Sequence, residues 1–256
     1  MLQTVKCEHL LNTSKIYEGE NNIYCVGQYY SGGTLYEYIK NHGKPTISHS
    51  VSILRQLLVA LNYLESKDLI HRDIKPENIM FEDKSLQKVS LVDFGFMTRA
   101  KEYNKLFTRC GTPGYVAPEV LEDMPYDTKA DVYSLGILFY ILLTKINPFM
   151  NKSYSKLIKN NKSGNVDFQL LETLTTENKS SSSLAFNLIV EVAQSMLQKD
   201  PALRPKASEI LSHELFQLDA KMELSEDGNF DLTANASPVT KALALQSIDV
   251  KGTLRK

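Results

Sequence analysis

His71-Arg72-Asp73-Ile74-Lys75-Pro76-Glu77-Asn78 is the stretch whose reading decides the fold of this chain, and it is followed by Asp93-Phe94-Gly95 and then by Ala117-Pro118-Glu119. Phosphoryl transfer needs few protein groups: an acid to orient a hydroxyl, a cation beside the transferred phosphate, and oxygen ligands for Mg²⁺. All of them are present here. Asp73 can accept the hydrogen bond of an attacking hydroxyl, and Lys75 reaches the same space two residues on. Asn78 and Asp93 supply hard oxygens for the metal.

Composition frames this reading. A chain of 256 residues with 43% hydrophobic side chains fits one large domain or two small ones and can bury a core. The formal net charge of −1 gives no global attraction to nucleic acid or to an anionic membrane, so neither is an expected partner. Cys7, Cys25 and Cys110 are too few and too irregular for a disulfide framework or a zinc site, which suits a reducing compartment. No signal peptide opens the chain, and the longest apolar run, around Leu135 to Leu143, is too short for a bilayer. A cytoplasmic protein is expected, with the nucleus left open. No EF-hand loop is present.

Periodicity and turn signals place the elements. Met1 to Val5 reads as the last turn of a helix, and the segments at Lys15–Tyr17 and Ile23–Val26 as strands joined by a Gly-Glu-Asn-Asn turn. Leu35 to Ile39 reads as a short helix. Ser48 or Ser50 is expected to cap a longer one carrying Val51, Leu54, Leu57, Leu58, Leu61 and Leu64 on one face. Asp131 is expected to cap a helix through Val132, Leu135, Leu138 and Leu142, apolar nearly all round and therefore buried. A helix near Leu157, a solvated loop at Ser180–Ser183, and helices at Leu188–Leu197 and Ala207–Phe216 complete the reading. The tail has no sustained period and reads as disordered. Its weak pattern of Val239, Leu243, Leu245 and Ile248 offers a partner-binding or autoinhibitory helix as the alternative.

The ordered motifs resemble the catalytic loop and activation segment of eukaryotic protein kinases, of the Ser/Thr type and close to the calcium/calmodulin-dependent group. The resemblance runs from Met1 to about Phe216. It implies an α+β, protein-kinase-like fold, with a partial N-lobe and hinge at 1–30, a complete and mainly α-helical C-lobe at 31–216, and a tail at 217–256. The family's glycine-rich loop, its N-lobe lysine and that lysine's glutamate partner would lie before Met1. No G-x-G-x-x-G or V-A-I-K pattern occurs in the chain.

Residue by residue, the resemblance implies a site for ATP and Mg²⁺. Gln28 and Tyr30 fall on the hinge whose backbone holds adenine, Met80 matches the floor beneath it, with generic core packing as the alternative, and Gly27 stands at the gatekeeper position, with a bulge or close packing as the alternative. Asp73, Lys75 and Thr112 would be the catalytic set, Lys75 also touching the nucleotide, and Asn78 and Asp93 the metal ligands. His71 would pack under Phe94 without titrating. Thr108 has the spacing of the activating phosphosite, with Arg72, helped by Arg99, as its guanidinium partner, and either an upstream kinase or autophosphorylation would modify it. Glu119 and Arg204 match the family's buried ion pair. Glu77 would meet a basic residue upstream of the acceptor, but Thr34 and Ile141 stand where relatives often carry further substrate-binding acids, so only a weak preference for arginine is expected.

The expected activity is transfer of the ATP γ-phosphate to a Ser or Thr hydroxyl of a protein substrate. Two alternatives stand beside it: a kinase-like scaffold that binds partners without turnover, and a truncated reading of an active kinase whose product starts upstream.

Overall fold

Every residue from Ala130 to Leu143 is buried, so the helix that carries them runs through the middle of the molecule rather than along its surface. The computed structural model of the chain describes residues 6–100, 110–171 and 183–219. The helical turn expected at 1–5, Thr108, most of the loop at 180–183 and the tail beyond 219 lie outside these residues.

In chain order, β1 (Thr13–Glu18) and β2 (Ile23–Gly27) form an antiparallel hairpin, closed where the Gly19 N–H donates to the Asn22 carbonyl at 2.8 Å. Gly27 ends the hairpin under a tight constraint. A Cβ there would lie 2.8 Å from the Asn12 carbonyl oxygen, so close backbone packing requires glycine at this position. α1 (Leu35–His42) and α2 (Ile47–Ser66) follow. Short pairs β3 (Leu69–Ile70) with β6 (Thr98–Arg99), and β4 (Ile79–Phe81) with β5 (Val89–Leu91), bracket the segments that carry the quoted motifs. The rest is helical: α3 (Pro118–Leu121), α4 (Lys129–Thr144), α5 (Tyr154–Ser163), α6 (Ser183–Met196), α7 (Ala207–Leu211) and α8 (Glu214–Asp219).

The apolar stripe of α2 is buried as its spacing predicts and packs against α4, α7 and β5. Its cap is Thr46, whose hydroxyl accepts from the His49 N–H, and neither Ser48 nor Ser50 takes that place. Thr46 is extended while Ser50 already lies inside the helix and returns its hydroxyl to the Thr46 carbonyl. Thr34, the position read as a missing acid, closes a reciprocal capping box with Glu37 at the start of α1. The single helix expected over 207–216 is two, because the His213 imidazole accepts the Leu215 N–H and starts a new turn. Among the described residues no helix is long and apolar enough to cross a membrane.

Asp131 is not a cap. It lies in the first turn of α4, where Asp127 instead takes the Lys129 N–H, and its buried carboxylate accepts the N–H groups of His71 at 2.7 Å and Arg72 at 2.9 Å. Burial pushes its pKa up to about 6, against the pull of those two N–H groups and of Arg72. His71 Nδ1 accepts from the Asp73 N–H at 3.3 Å, which leaves Nε2 to donate to the Val92 carbonyl at 3.1 Å. The ring meets Phe94 edge to face with centroids 5.6 Å apart. Burial drives this imidazole from 6.5 down to about 4, with the Val92 bond and the Asp73 and Asp93 charges opposing it, so it is neutral at pH 7. The role expected from sequence, packing without titration, agrees with this placement.

Farther from the loop, Arg204 and Glu119 form a bidentate pair at 2.6 and 3.1 Å, the guanidinium also donating to the Lys129 and Gln198 carbonyls and lying over the Tyr133 ring. Both side chains are almost fully buried. Arg204→Met therefore strands the Glu119 charge and should lower stability by about 3–5 kcal/mol in urea unfolding. The buried Tyr133 hydroxyl has no partner among the described residues, so Tyr133→Phe should be neutral or stabilising by about 1 kcal/mol in the same experiment. For His71 the folded pKa is depressed, so its contribution is full above pH 6.5 and is lost as pH falls through 4. The stability difference between wild type and His71→Phe should accordingly shift by about 3 kcal/mol over that window, against the wild type at low pH.

Candidate active site

Asp73 is 4% exposed, and both oxygens of its carboxylate are occupied. Lys75 Nζ lies 2.7 Å from Oδ2, the Thr112 hydroxyl donates to Oδ1 at 2.7 Å, and Asn78 Nδ2 donates to Oδ2 at 2.9 Å. Lys75 Nζ also donates to Thr112 Oγ1 at 2.8 Å, which closes a ring of acid, cation and hydroxyl. Burial opposes ionisation of Asp73. The Lys75 contact, the Thr112 hydroxyl and the Asn78 amide outweigh it and hold the carboxyl below the usual range. The result is an ionised acid at neutral pH.

The local chain explains this convergence. Lys75 is extended, and Pro76 opens a single 3-10 turn over Pro76–Asn78 that turns Asn78 back, where its Nδ2 also donates to the Asp73 carbonyl at 2.8 Å. Asn78 has thus committed its amide nitrogen to Asp73, and its amide oxygen is the atom left for a cation. The Asn78 carbonyl accepts the Val92 N–H at 2.9 Å and so ties this turn to the next motif. Asp93 follows in the left-handed region at φ 63°, exposed, with the Gly95 N–H donating to Oδ1 at 3.1 Å. Among the described residues no three His, Cys, Asp or Glu side chains gather as a metal cage. One amide oxygen and one exposed carboxylate match the chemistry of Mg²⁺, which is held through few protein oxygens together with phosphates and water.

Gln28 and Tyr30 follow β2, the Gln28 N–H donating to the Asn12 carbonyl at 3.3 Å, and the residues after them join β4. The Ser31 N–H donates to the Glu82 carbonyl, Gly33 accepts the Phe81 N–H, and Thr34 bridges to Met80. The Tyr30 ring is buried, so this residue can offer a ligand only its backbone, which makes no turn or ladder bond among the described residues. Met80 lies half-buried opposite Ser90, two residues past Asn78. Arg72 sits at φ 72°, its Nε donating to the Phe96 carbonyl at 2.6 Å and Nη1 to the Tyr126 hydroxyl at 3.3 Å. Glu77 is exposed beside Tyr115, whose hydroxyl is raised by burial and by the Glu77 charge.

Two buried polar side chains that hold these loops carry weaker signals. Asp131 reads from sequence as a cap, and Asn161 lies inside a polar helix. Asn161 falls four residues after Leu157, on the buried stripe of α5, and an amide at an apolar register position is the signal that marks it.

Comparison with known proteins identifies a family. The protein kinase domain family matches residues 1–216. "Probable serine/threonine-protein kinase 2" of Plasmodium falciparum is 32% identical over 217 residues, covering 84% of this chain and 41% of the relative. "Calcium-dependent protein kinase 3" of Plasmodium berghei is 32% identical over 235 residues, covering 87% of this chain and 40% of the relative. "Calcium-dependent protein kinase 5" of the same organism is 35% identical over 161 residues, 62% of this chain and 28% of the relative. The chain thus spans well under half the length of the curated relatives it matches. With its catalytic-loop motifs, its helical lower half and this family match, the chain belongs to the eukaryotic protein kinase family, similar to the Ser/Thr and calcium-dependent members.

Proposed function

We propose that this chain carries a Ser/Thr phosphotransfer site, moving the γ-phosphoryl group of ATP to an aliphatic hydroxyl of a protein substrate. The observation that carries the reading is the Asp73 carboxylate, ionised and aimed by Lys75, Thr112 and Asn78. Asp73 accepts the hydrogen bond of the acceptor hydroxyl and takes its proton as the new oxygen–phosphorus bond forms and the bond to the leaving diphosphate oxygen breaks. Lys75, 2.7 Å from that carboxylate, places its positive charge where the transferring group gathers negative charge. Thr112 narrows the site around Asp73 and Lys75, which favours a short aliphatic hydroxyl over a phenol.

Asn78 and Asp93 would hold Mg²⁺, which supplies charge neutralisation between the phosphates. The backbone of Gln28 and Tyr30 would hold adenine above Met80. Arg72 would receive a phosphate placed on Thr108, exchanging its contacts with the Phe96 carbonyl and Tyr126 for a bidentate pair. Exposed Glu77 would meet a basic residue of the substrate.

The test is phosphate transfer by the full chain from ATP and Mg²⁺ to peptides that differ only in a Ser, Thr or Tyr acceptor. Asp73→Asn should lower kcat/KM for the Ser peptide by about 10²–10⁴ with nucleotide binding retained. Transfer that survives Asp73→Asn, or that favours Tyr, sinks the proposal. Nucleotide binding without transfer by the wild type would leave a binding scaffold.

A further inference from the structure

Asn161 is fully buried in α5, yet neither of its polar atoms is spent on its own helix. The Gly114 N–H donates to its Oδ1 at 2.8 Å, and its Nδ2 donates to the Val116 carbonyl at 2.7 Å. The two bonds grip the backbone on either side of Tyr115. A second amide works from the opposite side: Asn147 Nδ2 donates to the Gly114 carbonyl at 3.3 Å, while its Oδ1 accepts the Phe149 N–H at 3.0 Å. Gly114 itself lies at φ +95°, a conformation that other residues adopt only with strain.

Packing alone would not call for an amide here. Leu157, one turn earlier on the same stripe, shows that an apolar side chain suits this face, and burying an unpaired amide is costly. Asn161 is tolerated because both ends of its amide are satisfied, and what they satisfy is the loop that begins at Thr112, whose hydroxyl reaches Asp73 at 2.7 Å. The loop's height over the acid, and the face of Tyr115 beside Glu77, therefore depend on a side chain of α5.

We infer that Asn161 is a positioning residue for the polypeptide acceptor: with Asn147 it fixes the backbone of Gly114-Tyr115-Val116, the stretch that continues from the Thr112 hydroxyl on Asp73, as the surface against which the acceptor chain is laid. This inference rests on the phosphotransfer reading above. Its residue acts through the loop and touches neither phosphate nor metal.

The experiment compares wild type, Asn161→Leu and Asn161→Asp in the full chain. Leu removes both bonds. Asp keeps an acceptor for the Gly114 N–H but turns a second oxygen against the Val116 carbonyl, a conflict relieved when the carboxyl is protonated. Asn161→Leu should raise the peptide KM roughly ten-fold or more while kcat at saturating peptide falls by no more than about threefold. Asn161→Asp should approach wild-type KM as pH is lowered, relative to wild type at the same pH. Hydrogen exchange supplies a readout independent of activity: the Gly114 amide should exchange roughly 100-fold faster in Asn161→Leu, with the Asn78 and Val92 amides as fixed references. An unchanged peptide KM in a folded Asn161→Leu, or equal loss of kcat and KM effect in both variants at every pH, overturns the inference. If the wild type transfers no phosphate, the phosphotransfer reading falls, and an unchanged Gly114 exchange rate would overturn the clamp itself.

Discussion

Because Asp131 sits in the first turn of a helix buried from Ala130 to Leu143, its carboxylate gives the His71 and Arg72 N–H groups a fixed point, at 2.7 and 2.9 Å, from which the loop at His71–Asn78 is hung. The arrangement bears a cost on both sides. Arg72 is held at φ 72°, a left-handed conformation worth roughly 1–3 kcal/mol of strain for a non-glycine residue, and Asp131 resists ionisation where it is buried. Hydrogen bonds to a charged acceptor contribute about 1.5–3 kcal/mol each. Two of them outweigh the strain, and the loop stays in a shape that its own backbone preferences would not choose.

From that anchor the geometry passes along the chain by short bonds. His71 hands it to the segment before Asp93 through the Val92 carbonyl, and Asn78 does the same through its own carbonyl and the Val92 N–H. Asp93 is therefore held in register with Asn78 by two independent links, although the two belong to different motifs and lie fifteen positions apart. The two side chains proposed to share a cation are thereby set relative to one another, which one amide oxygen and one carboxylate would not do for themselves.

Much of this was legible in the residues, for physical reasons that differ by element. The stripe of α2 and the all-round apolarity of α4 are periodic signals, and burial follows from them directly. The nearness of Lys75 and Asn78 to the Asp73 carboxylate was legible because the three stand within six positions around the turn that Pro76 opens. Caps and long-range polar contacts were not. An aspartate in the first turn of a helix looks the same whether it serves its own N–H groups or those of a loop 60 positions away, and Asp131 does the second. Thr46 won over Ser48 and Ser50 because backbone conformation decides a cap, and His213 broke a helix whose composition is continuous. Gly27 invited a reading about an open pocket wall. The nearness of the Asn12 carbonyl supplies a sufficient backbone reason for it.

The buried polar groups of the lower half divide into two kinds, and the division bears on why they are there. Glu119 and Arg204 satisfy one another and tie a helix to the segment that follows the site, so their removal would be felt as stability. Asp131, His71, Asn78 and Asn161 satisfy backbone groups of the two loops that meet at Asp73. A net hydrogen bond of this kind contributes only about 1 kcal/mol to folding, which an apolar side chain of similar size would match by burial. What the apolar side chain would not do is hold a particular carbonyl or N–H at a particular height. Polar groups at these buried positions therefore specify one loop geometry among several of similar stability, and around a carboxylate whose partners all lie within 2.7–2.9 Å, that specification is the larger contribution.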